Sequence, residues 1–190
     1  MKKIILIIFG IIILTFAGCY DPPSREKQGL DYDSLQELVE TSDRILKLKK
    51  LDNEIKFIVE EEGYFSIKFS VLEKFKGSSS IGDEIFITFL ETDFHNLFIR
   101  NKNVEKFDQS FDRQDYVFFL IGRARKNIFP KELGGSLWYK NGNPSIFQIQ
   151  NDNISIISTE SHIEALDKSF IDILKMSESK FLNLVKLLNE

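Results

Sequence analysis

Residues 65–71 read FSIKFSV, and this stretch decides the fold class. Apolar residues occupy the odd positions from Phe65 to Val71, and serine or lysine occupies the even ones. Successive side chains of a strand point to opposite faces, so the spacing predicts a strand with one buried face and one solvated face. The strand is expected to end at Lys76-Gly77, because glycine permits the sharp turn into the following serine-rich loop.

Neighbouring segments extend this strand into a sheet. Residues 46–59 and 85–89 show the same alternation. Asp52-Asn53 leaves open whether residues 46–59 form one long bent strand or a hairpin. Residues 116–121 (YVFFLI) are apolar throughout, which predicts a central strand buried on both faces.

A hairpin and flanking helices complete the predicted elements. Residues 151–153 (NDN) join the segments 145–150 and 154–157 as a hairpin, because Asn and Asp tolerate positive φ. Residues 34–37 (SLQE) fit a capping box at the start of an N-terminal helix. A helical period returns over residues 162–190 and predicts a C-terminal helical pair. The domain is therefore expected to be mainly β, with flanking helices.

The N-terminal residues include the chain's only cysteine. An apolar run over residues 4–17 has the length of a signal-peptide core and is shorter than the roughly 20 residues of a bilayer-spanning helix. Residues 14–19 (LTFAGC) resemble the lipobox of bacterial lipoproteins, with Phe16 where the family usually has leucine. The resemblance implies that Cys19 is acylated and becomes the first residue after cleavage. An uncleaved membrane anchor is the alternative.

Three regions follow from this assignment. Residues 1–18 are the expected lipoprotein signal peptide, Cys19 and the residues up to 32 form a lipidated, flexible tether, and residues 33–190 form a single globular domain. A second cysteine is missing from the sequence, so the domain must be stable without disulfides. We expect the protein in the cell envelope, anchored to a membrane by lipid and either periplasmic or surface-exposed.

The charge of the expected mature chain argues against nucleic acid as a partner. Removal of Lys2 and Lys3 leaves 23 basic residues (25 minus 2) against 29 acidic ones, a formal charge of −6. A negative chain without a basic patch repels phosphate backbones. The expected partners are the membrane, through acylated Cys19, and a protein or peptide.

Three segments together resemble a recurrent exported bacterial domain. They are residues 35–48 (LQELVETSDRILKL), 69–87 (FSVLEKFKGSSSIGDEIFI) and 111–120 (FDRQDYVFFL), with the hairpin 147–157 after them. Such domains are similar to the OB-fold barrels of the tissue-inhibitor-of-metalloproteinase and netrin-module type. The resemblance implies an OB-like barrel of five or six strands. It implies no inhibitory activity, because those inhibitors use an unblocked N-terminal cysteine and several disulfides.

Aromatic residues supply the candidate binding surface. Phenylalanines within the strand patterns are expected to lie in the core. Residues 91–113 are polar and without strand periodicity, which predicts a long loop suited to recognition. Four candidate binding residues lie in or beside this loop, and two more follow shortly after the glycine pair Gly134-Gly135. They are Phe94, Phe98, Phe107, Phe111, Trp138 and Tyr139.

Patterns typical of catalysis and metal binding are weak in this sequence. Glu91, Asp93 and His95 could share one face of an extended segment and hold a divalent metal, but no other part of the sequence converges on them, and a solvated strand end or loop explains their spacing better. The motifs G-x-S-x-G and H-E-x-x-H and a phosphate-binding glycine loop do not occur. We therefore expect no enzymatic activity, no catalytic residue, no cofactor and no metal.

The sequence thus favours a lipid-anchored, non-enzymatic module that binds a protein or peptide. An envelope carrier of an apolar ligand or an uncharacterised hydrolase is the alternative. A carrier needs a closed cavity lined by phenylalanine inside the barrel, whereas a partner-binding module needs a filled barrel and an exposed aromatic patch. A hydrolase needs carboxylates or a histidine grouped in a cleft.

Overall fold

Seven strands form one sheet in the computed structural model, which describes residues 32–99, 114–124, 129–133, 136–158 and 166–190. The strands are β1 (Arg44–Val59), β2 (Glu62–Lys76), β3 (Glu84–Leu90), β4 (Asp115–Ala124), β5 (Ser136–Lys140), β6 (Ile146–Gln150) and β7 (Asn153–Ile156). The helices are α1 (Leu35–Thr41), α2 (Glu91–Phe94), α3 (Lys168–Ile173) and α4 (Glu178–Leu188). A π-helical turn (His95–Ile99) continues α2, and a 3-10 turn covers Lys131–Leu133.

Five of the strands close into a barrel. Their order is β1-β2-β3-β5-β4, and the ring closes because residues 44–49 of β1 also pair with residues 115–120 of β4. β3 and β5 are parallel, and the other neighbours in the ring are antiparallel. The predicted OB-like barrel with an N-terminal helix and a C-terminal helical pair is confirmed. β6 and β7 extend the sheet beyond the ring.

β1 is one long bent strand, which resolves the two alternatives that the sequence left open. Between Lys50 and Glu54 it advances four residues while its partner β2 advances two, from Phe69 to Ile67. Extra residues on one strand of a pair bend that strand and increase its twist. The bend lets the first half of β1 close the barrel with β4 while the second half follows β2 to the turn at Glu60.

Alternate residues of the ring strands fill the barrel interior. The strand predicted from FSIKFSV is confirmed, because its apolar residues from Phe65 to Val71 are all buried in the interior cluster. The rings of Phe69 and Phe118 meet edge to face, with centroids 5.2 Å apart. Interlocking rings of this kind leave the interior packed with side chains.

The first part of the predicted 91–113 loop is helical, so the prediction is wrong for residues 91–99. Phe94 and Leu97, three residues apart, are buried and belong to the interior cluster of the barrel. The ring centroid of Phe94 lies 4.3 Å from that of Phe65. A helical turn brings two such side chains to one face, and here that face closes one end of the barrel. Residues 100–113 lie outside the described part of the chain.

β4 is the central strand that its sequence predicts. Tyr116, Phe118 and Leu120 point into the barrel. Val117 and Phe119 point to the opposite side and join a second buried cluster, which α1, α3, α4, β6 and β7 cover. Both faces of the strand are therefore dry, as the continuous apolar run requires.

Hydrogen bonds hold the first described residues of the chain against the rest of the domain. The capping box is confirmed, since the Ser34 hydroxyl accepts a hydrogen bond from the Glu37 amide at 3.2 Å. Tyr32, the last residue of the expected tether, is buried and donates its hydroxyl to Asn141 Oδ1 at 2.7 Å. The side-chain amide of Asn141 donates to the Ser42 hydroxyl at 2.9 Å. These contacts hold the start of the domain against the segment that links β5 to β6.

The described helices are short. Among the residues that the structure describes, none forms a helix with the length and apolar character needed to cross a bilayer.

Lys47 connects β1, β4 and α4 on the outside of the barrel. Its ammonium group lies 2.6 Å from Glu178 Oε1 and 2.9 Å from Asp115 Oδ2. Burial lowers the pKa of Lys47, but the hydrogen bonds and charges of the two carboxylates outweigh burial, and the pKa is raised. The ion pairs therefore favour the docked position of α4.

Replacing Lys47 with Gln should lower the free energy of unfolding by about 1 kcal/mol near neutral pH, since the carboxylates are partly exposed and solvent screens them. The pKa of Lys47 in the folded state is above 10.5. The ion pairs of Lys47 therefore stabilise the fold fully below pH 10.5, and this stabilisation is lost as the pH rises through the folded-state pKa. Urea denaturation over a pH series should show that the difference in the free energy of unfolding between wild type and variant becomes smaller at alkaline pH. Lys74→Gln, at an exposed position of β2, is the control, and a pH-independent difference would contradict the assignment.

Candidate functional site

The outside of the barrel carries a patch of aromatic and aliphatic side chains, here termed the outer aromatic face. Leu133 and Tyr139 are buried at its centre. Six partly buried side chains pack around them: Ile55, Phe57, Tyr64, Phe86, Ile121 and Phe129. The face thus combines the second half of β1 with β2, β3, β4, β5 and the segment before β5.

Strand register brings the aromatic side chains to this face. Phe57 pairs with Tyr64 in the ladder between β1 and β2. Phe65, the next residue of β2, points into the barrel, so Tyr64 must point outward, and its cross-strand partner Phe57 points the same way. Phe86 lies on β3 between the interior residues Ile85 and Ile87, and it faces outward for the same reason.

Three rings form a fixed arrangement within the outer aromatic face. Phe57 and Tyr64 are stacked, with centroids 5.3 Å apart and planes 8° apart. Phe129 meets both rings edge-on, at 6.0 Å from Phe57 and 6.3 Å from Tyr64. Each such pair contributes about 0.5–1.5 kcal/mol beyond its buried area, so the rings are held in place before any partner arrives.

Charged groups border the rings. The Tyr64 hydroxyl donates to Glu62 Oε2 at 3.0 Å. Lys68 forms an ion pair with Glu84, and its ammonium group lies 5.8 Å from the centroid of the Phe86 ring. An apolar centre with a charged rim of both signs is the usual composition of a protein-binding surface.

Among the candidate binding residues, Tyr139 belongs to the outer aromatic face, where it is buried. Its exposed fraction is 6%, and that of Phe94 is 4%, because Phe94 faces the barrel interior. Neither ring is therefore available on an open surface. The side chain of Phe98, together with Phe107, Phe111 and Cys19, lies outside the described residues.

Trp138 lies on the opposite side of β5 from Tyr139 and packs against the interior cluster. The Arg44 guanidinium stacks on its ring at 3.8 Å from the centroid and donates to the Ser79 hydroxyl at 2.7 Å. Burial lowers the pKa of Arg44, while the charges of Asp83 and Asp43 act in the other direction. The group remains a cation at neutral pH, so this corner of the barrel holds a cation–π pair.

Sequence reasoning missed Phe57, Tyr64 and Phe129. Phe57 lies in a strand pattern, which predicts a core position. One signal was available: Tyr64 and Phe65 are adjacent in a strand, so one of the two rings had to face outward. Only the register with β1 and the path of the chain before β5 reveal that the outward ring has aromatic neighbours.

A polar cleft of about 580 Å³ lies beside the turn between β1 and β2. Its lining residues are Glu61, Glu62, Gly63, Leu90, Glu91, Thr92, His95 and Asn96. His95 Nε2 lies 3.9 Å from Glu91 Oε1, and both side chains are about half exposed. The cleft thus groups carboxylate side chains and a histidine, which is the arrangement that the hydrolase alternative needs, and both members of the Glu91–His95 pair are open to solvent.

The possible metal triplet is divided by the helix that contains it. Glu91, Asp93 and His95 would share a face only on an extended backbone, whereas α2 turns about 100° per residue. Glu91 and His95 line the polar cleft, and Asp93 lines a separate small cavity with Tyr139 and Lys140. In the described ranges, three or more His, Cys, Asp or Glu side chains never group in a way that could hold a metal.

Comparisons with known proteins returned no match: neither a protein-family model, nor a curated protein, nor a solved structure matches this chain significantly.

Burial predicts different effects for Phe94 and Phe57. Phe94→Ser should lower the free energy of unfolding by about 3–5 kcal/mol, because it leaves a cavity and a hydroxyl at the end of the barrel. Phe57→Ser, at a partly buried position, should cost about 1–2 kcal/mol. Urea denaturation followed by circular dichroism would measure both, and equal losses would contradict the division between barrel core and outer aromatic face.

Proposed function

We propose that this chain is a lipid-anchored, non-enzymatic module of the bacterial cell envelope, and that it binds a protein or peptide through the outer aromatic face. The observation that supports this best is the half-buried group of Phe57, Tyr64 and Phe129 on the outside of a filled barrel. Partly exposed aromatic rings in a fixed arrangement are typical of the residues that dominate protein–protein binding energy.

The barrel interior favours this function over that of an apolar carrier. A carrier site for a small molecule needs a cavity of about 300–1,000 Å³. The interior of this barrel holds Phe69, Phe89 and Phe118, whose centroids are 5.2 Å apart for Phe69 and Phe118 and 6.5 Å apart for Phe89 and Phe118. Phe94 occupies the end of the same core. An apolar ligand would have to displace these rings.

An aromatic surface with a charged rim suits a polypeptide. The three rings are already packed against one another, so a partner would immobilise few additional rotatable bonds. Glu62 and the Lys68–Glu84 ion pair stand at the rim and place charges of both signs beside the rings. Nucleic acid fits poorly, because Lys68 is paired with Glu84 and the expected mature chain is acidic.

The anchor in this proposal is acylated Cys19. It rests on the cationic start, the short apolar run and the small residues before the cysteine. Cys19 and buried Tyr32 are 13 residues apart (32 minus 19), which corresponds to about 40 Å of extended chain. Such a tether holds the domain near a membrane and leaves its outer surfaces open to partners.

Binding through the outer aromatic face predicts that Phe57→Ser combined with Tyr64→Ser reduces recovery of a partner from envelope extract by at least tenfold, since aromatic anchors contribute about 2 kcal/mol or more. Ile58→Ser is a matched control, because Ile58 adjoins Phe57 on β1, points to the other side and is 77% exposed. Quantitative mass spectrometry of affinity-purified material would measure recovery. Equal recovery with the double variant and the control would contradict the assignment.

The anchor predicts that cells supplied with a labelled fatty acid incorporate the label into the wild-type chain and not into Cys19→Ser, because only the thiol can receive the diacylglyceryl group. In-gel detection after immunoprecipitation would measure incorporation. Label on the serine variant, or unlabelled wild type, would show that the anchor is elsewhere or missing.

A further inference from the structure

The second half of β1 is an edge strand. Residues 44–49 pair with both β2 and β4, whereas residues 54–59 pair with β2 alone among the described strands. Along this edge Glu54, Lys56 and Ile58 are exposed, Ile58 by 77%. An edge strand presents a row of backbone amide and carbonyl groups with which another strand can pair.

The turn at the end of β1 determines which backbone groups face the open side. Glu60 and Glu61 have positive φ values of 51° and 69°, as the two-residue type I′ turn of a hairpin requires. In such a hairpin the flanking residues, Val59 and Glu62, exchange both hydrogen bonds, and hydrogen-bonded pairs then alternate with non-hydrogen-bonded pairs along the strands. Every second residue before Val59 therefore directs its backbone groups away from β2. These residues are Ile58, Lys56 and Glu54.

The residues around Ile55 are self-complementary in an antiparallel pair. A two-fold axis at Ile55 would place Glu54 of each copy opposite Lys56 of the other. Opposite charges that face each other across two strands favour pairing. Glu54 Oε1 lies 3.3 Å from the Lys50 ammonium group, and the Lys56 ammonium group lies 5.1 Å from the centroid of the Phe65 ring. Both charges thus lie along the exposed edge, within reach of an added strand.

Other two-fold registers along this edge match the charges less well. Only residues with outward backbone groups can form the new hydrogen-bonded pairs. An axis at Glu54 or at Lys56 places like charges opposite each other, which opposes pairing. An axis at Phe57 places Lys56 opposite Ile58. An axis beyond Phe57 would require the turn residues to be extended, and their positive φ excludes this. The charges therefore select the axis at Ile55.

We infer that two copies of this chain associate through the second half of β1, as antiparallel strands with a two-fold axis at Ile55. The sheet then continues from one barrel into the other. Ile55 and Phe57 belong to the outer aromatic face, so the outer aromatic faces of the two copies adjoin. A contact of one short strand per copy is small and belongs to the transient class, so the dimer forms at high protein concentration. The inference is independent of the anchor at Cys19 and of the proposed partner.

Cysteine crosslinking tests the register. The full chain carries Cys19→Ser, so that an added cysteine is its only thiol, and it is purified in mild detergent with either Ile55→Cys or Phe57→Cys. Opposite residues of a non-hydrogen-bonded antiparallel pair have Cα atoms about 4.5 Å apart, a distance that a disulfide spans. Position 55 meets its own copy in such a pair. The two copies of position 57 are separated by four residues along the strand, which is about 13 Å.

Under mild oxidation, Ile55→Cys should form a disulfide-linked dimer roughly tenfold faster than Phe57→Cys, because only the first pair lies within disulfide range. Non-reducing electrophoresis over a time course would measure both rates. Equal rates, or a faster rate with Phe57→Cys, would overturn the register. The lack of a linked dimer with either variant would overturn association through this edge.

Charge reversal separates strand pairing from a change in the fold of one copy. In the Ile55→Cys chain, Lys56→Glu should slow dimer formation severalfold, because Glu54 of each copy then faces a carboxylate. Adding Glu54→Lys restores opposite charges across the axis and should restore the rate. Lys74→Glu, at an exposed position of β2, is the control and should leave the rate unchanged. A slow rate that Glu54→Lys does not restore, or a rate that Lys56→Glu does not change, would contradict the inferred pairing.

Discussion

The pairing of β1 with β4 is the constraint on which the rest of the structure depends. Residues 44–49 of β1 pair with β2 on one side and with β4 on the other, and this double pairing closes the ring. β4 then serves as a wall shared by two cores, with Phe118 in the barrel and Phe119 under the helices. Adjacent residues of β4 supply both clusters, so neither the barrel core nor the core under the helices is complete without this strand.

The segment between β5 and β6 determines where the chain enters the domain. β5 pairs with residues 120–124 of β4, and β6 pairs with residues 115–118 of the same strand. Asn141 lies between these two ladders, is buried, and exchanges hydrogen bonds with Tyr32 and Ser42. A buried side-chain amide is costly unless its donors and acceptors are paired. The hydrogen-bonding requirement of Asn141 thus fixes the start of the domain.

Local patterns in the sequence predict most of the sheet but little of the candidate site. Alternation in FSIKFSV and the apolar run of β4 each specify a strand and its buried face, and Gly77 and Gly82 adopt the positive φ that their turn requires. The burial of Phe94 could not be predicted from the sequence, because the polar residues around it obscure its helical spacing to Leu97. The outer aromatic face depends on which residues lie opposite one another across strands, and no single segment contains that information.

The bend in β1 separates the part of the strand that stabilises the barrel from the part that presents the rings. Before Lys50, β1 is held on both sides, and its Leu46 and Leu48 are buried in the interior. After Glu54, β1 continues to pair with β2, and Phe57 stacks on Tyr64 at the surface. Substitutions at Phe57 can therefore alter the surface without disturbing the ladder that closes the ring. A barrel closed in this way can vary the aromatic residues on its bent edge while it keeps its fold.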